Sequence, residues 1–281
     1  MKALIIGCGN TGSALAEHWH RAGLLVTGTT TTESKLASLQ PITSRTLLLR
    51  GGDRKAVAAA VQDQDMVVVS VAPPVARART PEERQATYED VLVRTCRHAA
   101  AAATGRLIFL SSFSVYGDGG PGDEPVSEST PLTDSADASP RCYQLAEEAV
   151  LAAGGCVLRL PDIYGAPGDM SFRDRVDFGI RHMHGKVPFS ANAPLYRIHY
   201  KDVVEAVDHA AQHQLTGPWN VCVEGPTPPT NAAVFNGICD REGWPRLEFL
   251  GQIRAPERRI SSARLHGTGY RIRHTNETAW H

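Results

Sequence analysis

The chain has 281 residues, 42% of them hydrophobic and 21% charged, with a formal net charge of -1. That length buries a substantial core, and that balance belongs to a globular protein, not to a disordered or fibrous one. A charge so near zero gives no electrostatic case for nucleic acid or an anionic membrane surface, and no apolar run approaches the roughly 18 residues of a spanning helix.

The first predicted element is a strand, Lys2-Ala3-Leu4-Ile5-Ile6. It runs into Gly7-Cys8-Gly9-Asn10-Thr11-Gly12 and then into an amphipathic stretch holding Leu15 and Trp19. Strand, glycine turn and helix in that order are what a dinucleotide site needs. Gly7 permits the sharp turn, Gly9 leaves the backbone open to a pyrophosphate, and Gly12 lets the helix pack close to the sheet. The helix N-terminus adds free N–H groups and the positive end of its dipole.

Further strands follow at 24–28, 45–49, 66–71, 106–110 and 156–160, with helical stretches at 34–39, Arg54–Val61, 82–103 and 143–153. Residues 66–71 are nearly all apolar, as a strand buried on both faces must be. The alternation predicts an α/β fold: a doubly wound, Rossmann-like parallel sheet with right-handed crossovers. Ala99 to Ala103 form an alanine run that predicts close helix contact. Two segments break the pattern. Residues 117–140, rich in Gly, Pro, Ser and Asp, are too long for a plain connector and predict a lid or mobile loop. After Gly165, Gly, Pro and aromatic residues mix with shorter elements. The expected organisation is a dinucleotide-binding domain over 1–165, to which 197–223 return, and a smaller C-terminal substrate lobe from 166–196 and 224–281.

The end of the second strand bears on which dinucleotide binds. A carboxylate about 20 residues past the last glycine would bond the ribose 2′-OH and favour NAD. Here the sequence is Gly28-Thr29-Thr30-Thr31-Thr32-Glu33. Hydroxyls of Thr29 and Thr30 can donate to a 2′-phosphate and Lys35 can add charge, so NADP is the expected cofactor with NAD left open; the alternative is a plain polar turn. The six cysteines form no CxxC pair and several fall in predicted elements, so reduced, packed thiols in a cytoplasmic protein are expected. Met1-Lys2 leads straight into strand, and no cleavable signal is expected. His18/His20 and His182/His184 are spaced by two, which puts partners on different helix faces, so no metal site is expected.

The chain resembles an extended short-chain dehydrogenase/reductase, the superfamily of nucleotide-sugar epimerases and dehydratases. The residues that carry the likeness are the glycine turn, Gly52-Asp53, Ser111-Ser112 with Val115-Tyr116-Gly117, Leu158 to Gly165, Arg197 to Val203, and Arg259 to Leu265. The resemblance implies that Gly7, Gly9, Asn10, Thr11 and Gly12 hold the pyrophosphate and that Asp53 lies by the adenine. It places Val71, Ala72 and Pro73 along the ribose, Ser111 and Pro161 by the nicotinamide, and makes Ser112 the catalytic hydroxyl. It also implies a homodimer formed through the helices at 82–103 and 143–153.

The family's proton-transfer pair is a tyrosine and, four residues on, a lysine that lowers the phenol's pKa. Counted from Tyr143 the lysine place is Glu147, which would push that pKa the wrong way; in a second register Ser139 and Tyr143 occupy the two places. The pattern is similar to atypical members that keep the nucleotide fold and lose the pair. The remaining candidates are Ser112, Ser139 (through a held water) and Tyr143, the last either a proton donor tuned by Arg141 or an ordinary packed aromatic. Arg173, Arg175, Arg181, His182, His184 and Lys186 read as a clamp for an anionic substrate or as a solvated face. His199 reads as a structural residue with Asp202 as neighbour. The expected function is an NAD(P)-dependent oxidoreductase or epimerase/dehydratase acting on a small polar carbonyl or hydroxyl compound, nucleotide sugars included. The alternative is a dinucleotide-binding sensor or scaffold with little turnover.

Overall fold

The computed structural model describes residues 1–75 and 78–274. In chain order, β1 (Lys2–Ile6), α1 (Asn10–Arg21), β2 (Leu25–Thr30), α2 (Leu36–Leu39), β3 (Arg45–Leu48), α3 (Arg54–Val61) and β4 (Met66–Val69) come first. α4 (Pro81–Tyr88), a π-helical segment (Glu89–Arg94) and α5 (Thr95–Ala102) run on from one another into β5 (Arg106–Ser112). Then follow α6 (Ala138–Ala152), β6 (Cys156–Leu160), β7 (Asp162–Tyr164), α7 (Phe172–His182), β8 (Lys186–Phe189) and β9 (Arg197–His199). The last elements are α8 (Tyr200–Gln212), β10 (Gly217–Asn220), α9 (Asn231–Glu242), β11 (Glu248–Ile253) and α10 (Ala263–Gly267).

Seven of the strands make one parallel sheet in the order β10-β6-β5-β4-β1-β2-β3. The chain builds outward from β1 to β3, then crosses to β4 on the other side of β1. That reversal opens a crevice at the carboxyl ends of β1 and β4, where α/β sheets take their ligands. Ile6 is in register with Val69, so Gly7 and Ser70 leave the sheet side by side. Leu15 and Trp19 of α1 and Val203 and Val207 of α8 cover one face. Val57 of α3, Leu92, Cys96 and the α6 residues Ala146 and Val150 cover the other. With both faces covered, β1 and β4 have no polar side to show, hence Leu4, Ile5, Val67 and Val68.

A separate apolar cluster joins α7, α9 and the paired β8 and β11 through Phe172, Val176, Phe235, Ile238 and Leu247. β7 pairs with β9 at Asp162↔Arg197 and leads the chain back to α8.

Two segments depart from the sequence expectation. α6 begins at Ala138, not at 143, because Pro140 falls in the first turn, where its missing N–H costs no helical bond. The long loop after Gly117 is fastened down. Val126 N–H donates to the Arg259 carbonyl (2.8 Å), Ser261 N–H to the Val126 carbonyl (2.9 Å) and Glu257 N–H to the Asp118 carbonyl (3.0 Å). The alanine run turns Ala99 into the core of its own subunit while Ala101 stays exposed. All six cysteines are buried and unpaired, and among the described residues no helix is long and apolar enough to cross a membrane.

Candidate active site

The crevice begins at the glycine turn. Gly7 has φ +99°, and a Cβ there would lie 2.7 Å from the Ser70 carbonyl oxygen; a Cβ on Gly12 would lie 2.3 Å from the Gly7 carbonyl oxygen. Both positions are closed to any side chain. Gly9 differs: its φ is -78°, and a Cβ there would meet nothing within 4 Å. The open space lies over the N-terminus of α1. The N–H groups of Asn10, Thr11 and Gly12 have no acceptor among the described residues, and the first turn holds no acidic side chain. Free donors, a positive dipole end and an empty volume fit a pyrophosphate. Val71 adjoins the turn, and Ala72 and Pro73 follow it in the chain.

Thr29 and Thr30 need correction as direct cofactor contacts. Thr29 is buried and its Oγ1 accepts the Gly7 N–H at 3.0 Å, so it braces the turn from beneath. Thr30 is buried too, and its Oγ1 accepts the Thr32 N–H at 3.1 Å. The exposed groups here are Thr31, Thr32, Glu33 and Lys35, joined by one the sequence reading passed over. β3 pairs with β2 at Thr30↔Leu48, so exposed Arg50, two residues on, leaves β3 near the end of β2. Linear spacing carries no signal for it. Asp53 caps α3, its Oδ1 accepting the Ala56 N–H at 3.0 Å, which leaves its other oxygen free.

At the end of β5 the two serines of the motif part ways. Ser112 faces a cavity, and its Oγ accepts the Ser114 N–H at 3.1 Å, so its own O–H is free to donate. Ser139, on the first turn of α6, reaches the Ser114 hydroxyl at 3.5 Å. Pro161 lines the same cavity from the end of β6.

Ser111 instead points into the protein and donates to Glu147 Oε1 at 2.5 Å. Glu147 takes a forked pair from Arg159 on β6, Nε to Oε1 at 3.1 Å and Nη2 to Oε2 at 2.7 Å. Arg159 Nη1 then donates to the Tyr116 hydroxyl (2.8 Å), and that hydroxyl donates to Asn220 Oδ1 (2.7 Å). Asn220 closes the chain by donating its N–H to Glu128 of the long loop at 2.8 Å. Glu147 is 1% exposed and Arg159 3%. Burial opposes the Arg159 charge, but the bonds to Glu147 and the charge of Glu147 outweigh it and raise the pKa; burial also lifts the Tyr116 phenol to about 12. At the family's lysine place, then, stands a carboxylate already answered by a cation the sequence reading did not connect with it.

Tyr143 also needs correction. Its ring packs against Phe109 and Tyr88 at centroid distances of 6.2 and 6.4 Å and against the cluster of Phe113 and Tyr116, and it does not itself line the cavity. Burial raises its pKa, followed by the influence of Tyr88 and Cys96, and exposed Arg141 is not among the causes. The expected tuning by Arg141 is absent, and the phenol stays protonated across the neutral range.

The cations of 173–186 are mostly spoken for at the surface: Arg173 by Glu242 (2.9 Å), Arg181 by Asp177 (2.6 Å) and Lys186 by Glu248 (3.3 Å). Arg175 alone of them lines the cavity, and it bonds Asp162 at 2.9 Å. His199 caps α8 through Lys201 N–H at 3.4 Å, and Asp202 bonds His274 Nδ1 (3.1 Å), not His199. His199, Asp202 and His274 bring three ligand-type atoms within 4.8 Å of one another. The Asp202 carboxylate there already accepts the backbone N–H groups of Arg273 and His274, tying the segment after α10 to α8.

The cavity bounded by Ser112 measures about 250 Å³ and lies between the ends of β5 and β6 and the α7–α9 cluster. Its walls are largely aromatic and aliphatic.

A profile described as the NAD dependent epimerase/dehydratase family matches residues 3–222. No curated protein matches the sequence significantly. Among solved structures, UDP-glucose 4-epimerase from Thermotoga maritima, solved with UDP-glucose, superposes with a TM-score of 0.75 at 15% identity, covering 100% of this chain and 96% of that one. The Bordetella bronchiseptica enzyme WbmG in complex with NAD gives 0.74 at 19% identity, over 98% of this chain and 90% of that one. A functionally unknown conserved protein from Silicibacter pomeroyi gives 0.70 at 21% identity, over 99% and 96%. At these identities the superpositions establish the shared fold. The profile spans the sheet from β1 to the end of β10, glycine turn and serine motif included, and on that match the chain belongs to the NAD-dependent epimerase/dehydratase family.

Proposed function

We propose that the chain is a nicotinamide-dinucleotide-dependent oxidoreductase or epimerase/dehydratase acting on a small carbonyl or hydroxyl compound. The observation that carries this reading is the open space at Gly9 beside the free N–H groups of Asn10, Thr11 and Gly12, together with a cavity walled by Ser112. The dinucleotide domain in this reading comprises 1–165 and 197–223, with 166–196 and 224–281 as the substrate lobe and a homodimer as the assembly.

Asn10, Thr11 and Gly12 would hold the pyrophosphate through backbone N–H groups. When bound, the nicotinamide supplies hydride exchange with a substrate carbon. Ser112 donates a hydrogen bond from its free hydroxyl to the substrate oxygen and stabilises the charge that develops there. A water held by Ser139 and Ser114 passes the proton, while Tyr143 serves as packing for the wall. Nicotinamide absorbance followed against a panel of carbonyl compounds tests this. Ser112→Ala should lower kcat/KM by about 10²–10³-fold with dinucleotide affinity unchanged; a wild-type rate in that variant would remove Ser112 from the mechanism. Tyr143→Phe should leave the pH profile between 6 and 9 unchanged, because its raised phenol does not titrate there. An inflection lost in that variant would return the proton to Tyr143.

NADP is the cofactor we favour. Arg50 and Lys35 are exposed beside the end of β2 with no carboxylate partner among the described residues, and a 2′-phosphate would accept from both. Arg50→Ala should weaken NADPH binding by about tenfold, some 1.4 kcal/mol, and leave NADH binding unchanged. Calorimetry showing equal losses for both would remove Arg50 as the reader of a 2′-phosphate.

A further inference from the structure

The cavity's size and lining speak to what enters it. We infer that the substrate is a compact carbonyl compound with an aromatic or branched-alkyl body and one carboxylate, not a nucleotide sugar; this rests on the dinucleotide-dependent reading above. An apolar cavity of about 150 Å³ holds a benzene molecule. The cavity beside Ser112 measures about 250 Å³, room for a benzene-sized ring and a short chain. A base, two sugar rings and two phosphates exceed it and would have to run out through its open mouth; pockets for larger ligands run to about 300–1,000 Å³.

The walls match that body. Phe113, Phe172, Phe189, Tyr196 and Phe235 line the cavity, held by ring contacts at 5.8 Å (Phe172 to Phe235), 5.9 Å (Phe189 to Phe235) and 6.3 Å (Phe113 to Tyr196). These are edge-to-face or tilted pairs, so the box is preformed and has little freedom to lose on binding. Tyr196 accepts the Ile260 N–H on its hydroxyl oxygen at 2.9 Å, which fixes its ring in the wall. A sugar would set hydroxyls against these rings, and each one that found no partner would cost about 1–3 kcal/mol.

The charges supply the other end. Asp162 answers two arginines, Arg175 at 2.9 Å and Arg197 at 3.1 Å, and Arg197 is also covered by the Tyr164 and Phe172 rings. Arg254, exposed at the cavity's edge, has no carboxylate partner among the described residues. One carboxylate on the ligand would answer Arg254, the lining guanidinium without a carboxylate partner.

Binding, not turnover, tests the inference. Phenylpyruvate, 4-phenylbutan-2-one and UDP-glucose would each be titrated calorimetrically into the full chain, with and without saturating NADPH, whose own heat of binding is recorded first. Phenylpyruvate should bind, UDP-glucose should not. Arg254→Gln should weaken phenylpyruvate at least tenfold and leave the neutral ketone unchanged. Ile253→Trp, at a lining position 41% exposed, should block both arenes without unfolding the chain. UDP-glucose binding that excludes phenylpyruvate, or NADPH binding with no arene binding, would overturn the inference while sparing the cofactor reading. Absence of NADPH binding would instead sink the proposed function, and the cofactor-free titrations would still report on the cavity.

Discussion

Replacing Glu147 with alanine should destabilise the protein by about 3–5 kcal/mol, because it leaves the Arg159 guanidinium buried with no countercharge. Against a typical total of about 5–15 kcal/mol, that is enough to threaten folding. Arg159→Met should cost a similar amount for the mirrored reason. Removing both charges, as Glu147→Leu with Arg159→Met, should cost less than either single change, since a buried pair replaced by apolar groups of like volume is near neutral. It will not return to wild type: Ser111 loses its acceptor, while Tyr116 keeps Asn220. Glu147→Lys restores the family's residue at that place, yet it sets an ammonium against Arg159 and should be the worst of the set. Urea unfolding of the four variants checks this. A Glu147→Ala protein within about 1 kcal/mol of wild type would show that the pair does not hold the fold.

That pair also marks where reading the sequence stopped short. Strand cores were legible because burial on both faces leaves an unmistakable apolar signature, as in Val67, Val68 and Val69. Arg54–Val61 was legible from helical periodicity and came out with the bounds the pattern suggests. The glycine turn was legible because each glycine answers a separate steric demand. Glu147 was legible only as a wrong charge. Its partner lies on the next strand, and the β5–β6 register, Ser111↔Arg159, is what brings Ser111, Glu147 and Arg159 together. Nothing in the spacing along α6 encodes that meeting. The same holds for Arg50, brought near the end of β2 by the pairing of β2 with β3. Thr29 and Thr30 show the converse: residue types suited to a phosphate are spent on backbone donors of the turn itself. The loop after Gly117 has the composition of a mobile lid, but its bonds run to residues 257–261, more than a hundred positions away.

Gly9→Asp should move stability and cofactor binding in opposite directions. Gly9 is the N-cap of α1, with extended backbone that an aspartate adopts without strain and with space for the new side chain. Aspartate is a better N-cap than glycine: its carboxylate can accept first-turn N–H groups that now lack acceptors and it complements the helix dipole, so a gain of a few tenths of a kcal/mol is expected. The same carboxylate fills the volume and takes the donors that a pyrophosphate needs, and it adds like charge to the site. Dinucleotide affinity should fall at least a hundredfold, about 2.7 kcal/mol. Gly9→Ala separates the two effects, since a lone methyl adds bulk without charge or capping and should weaken binding less. Thermal unfolding and calorimetry on the same preparations would read both quantities. An aspartate variant that is stabler and still binds at wild-type affinity would place the dinucleotide elsewhere, because no pyrophosphate can share those N–H groups with a carboxylate already bonded to them.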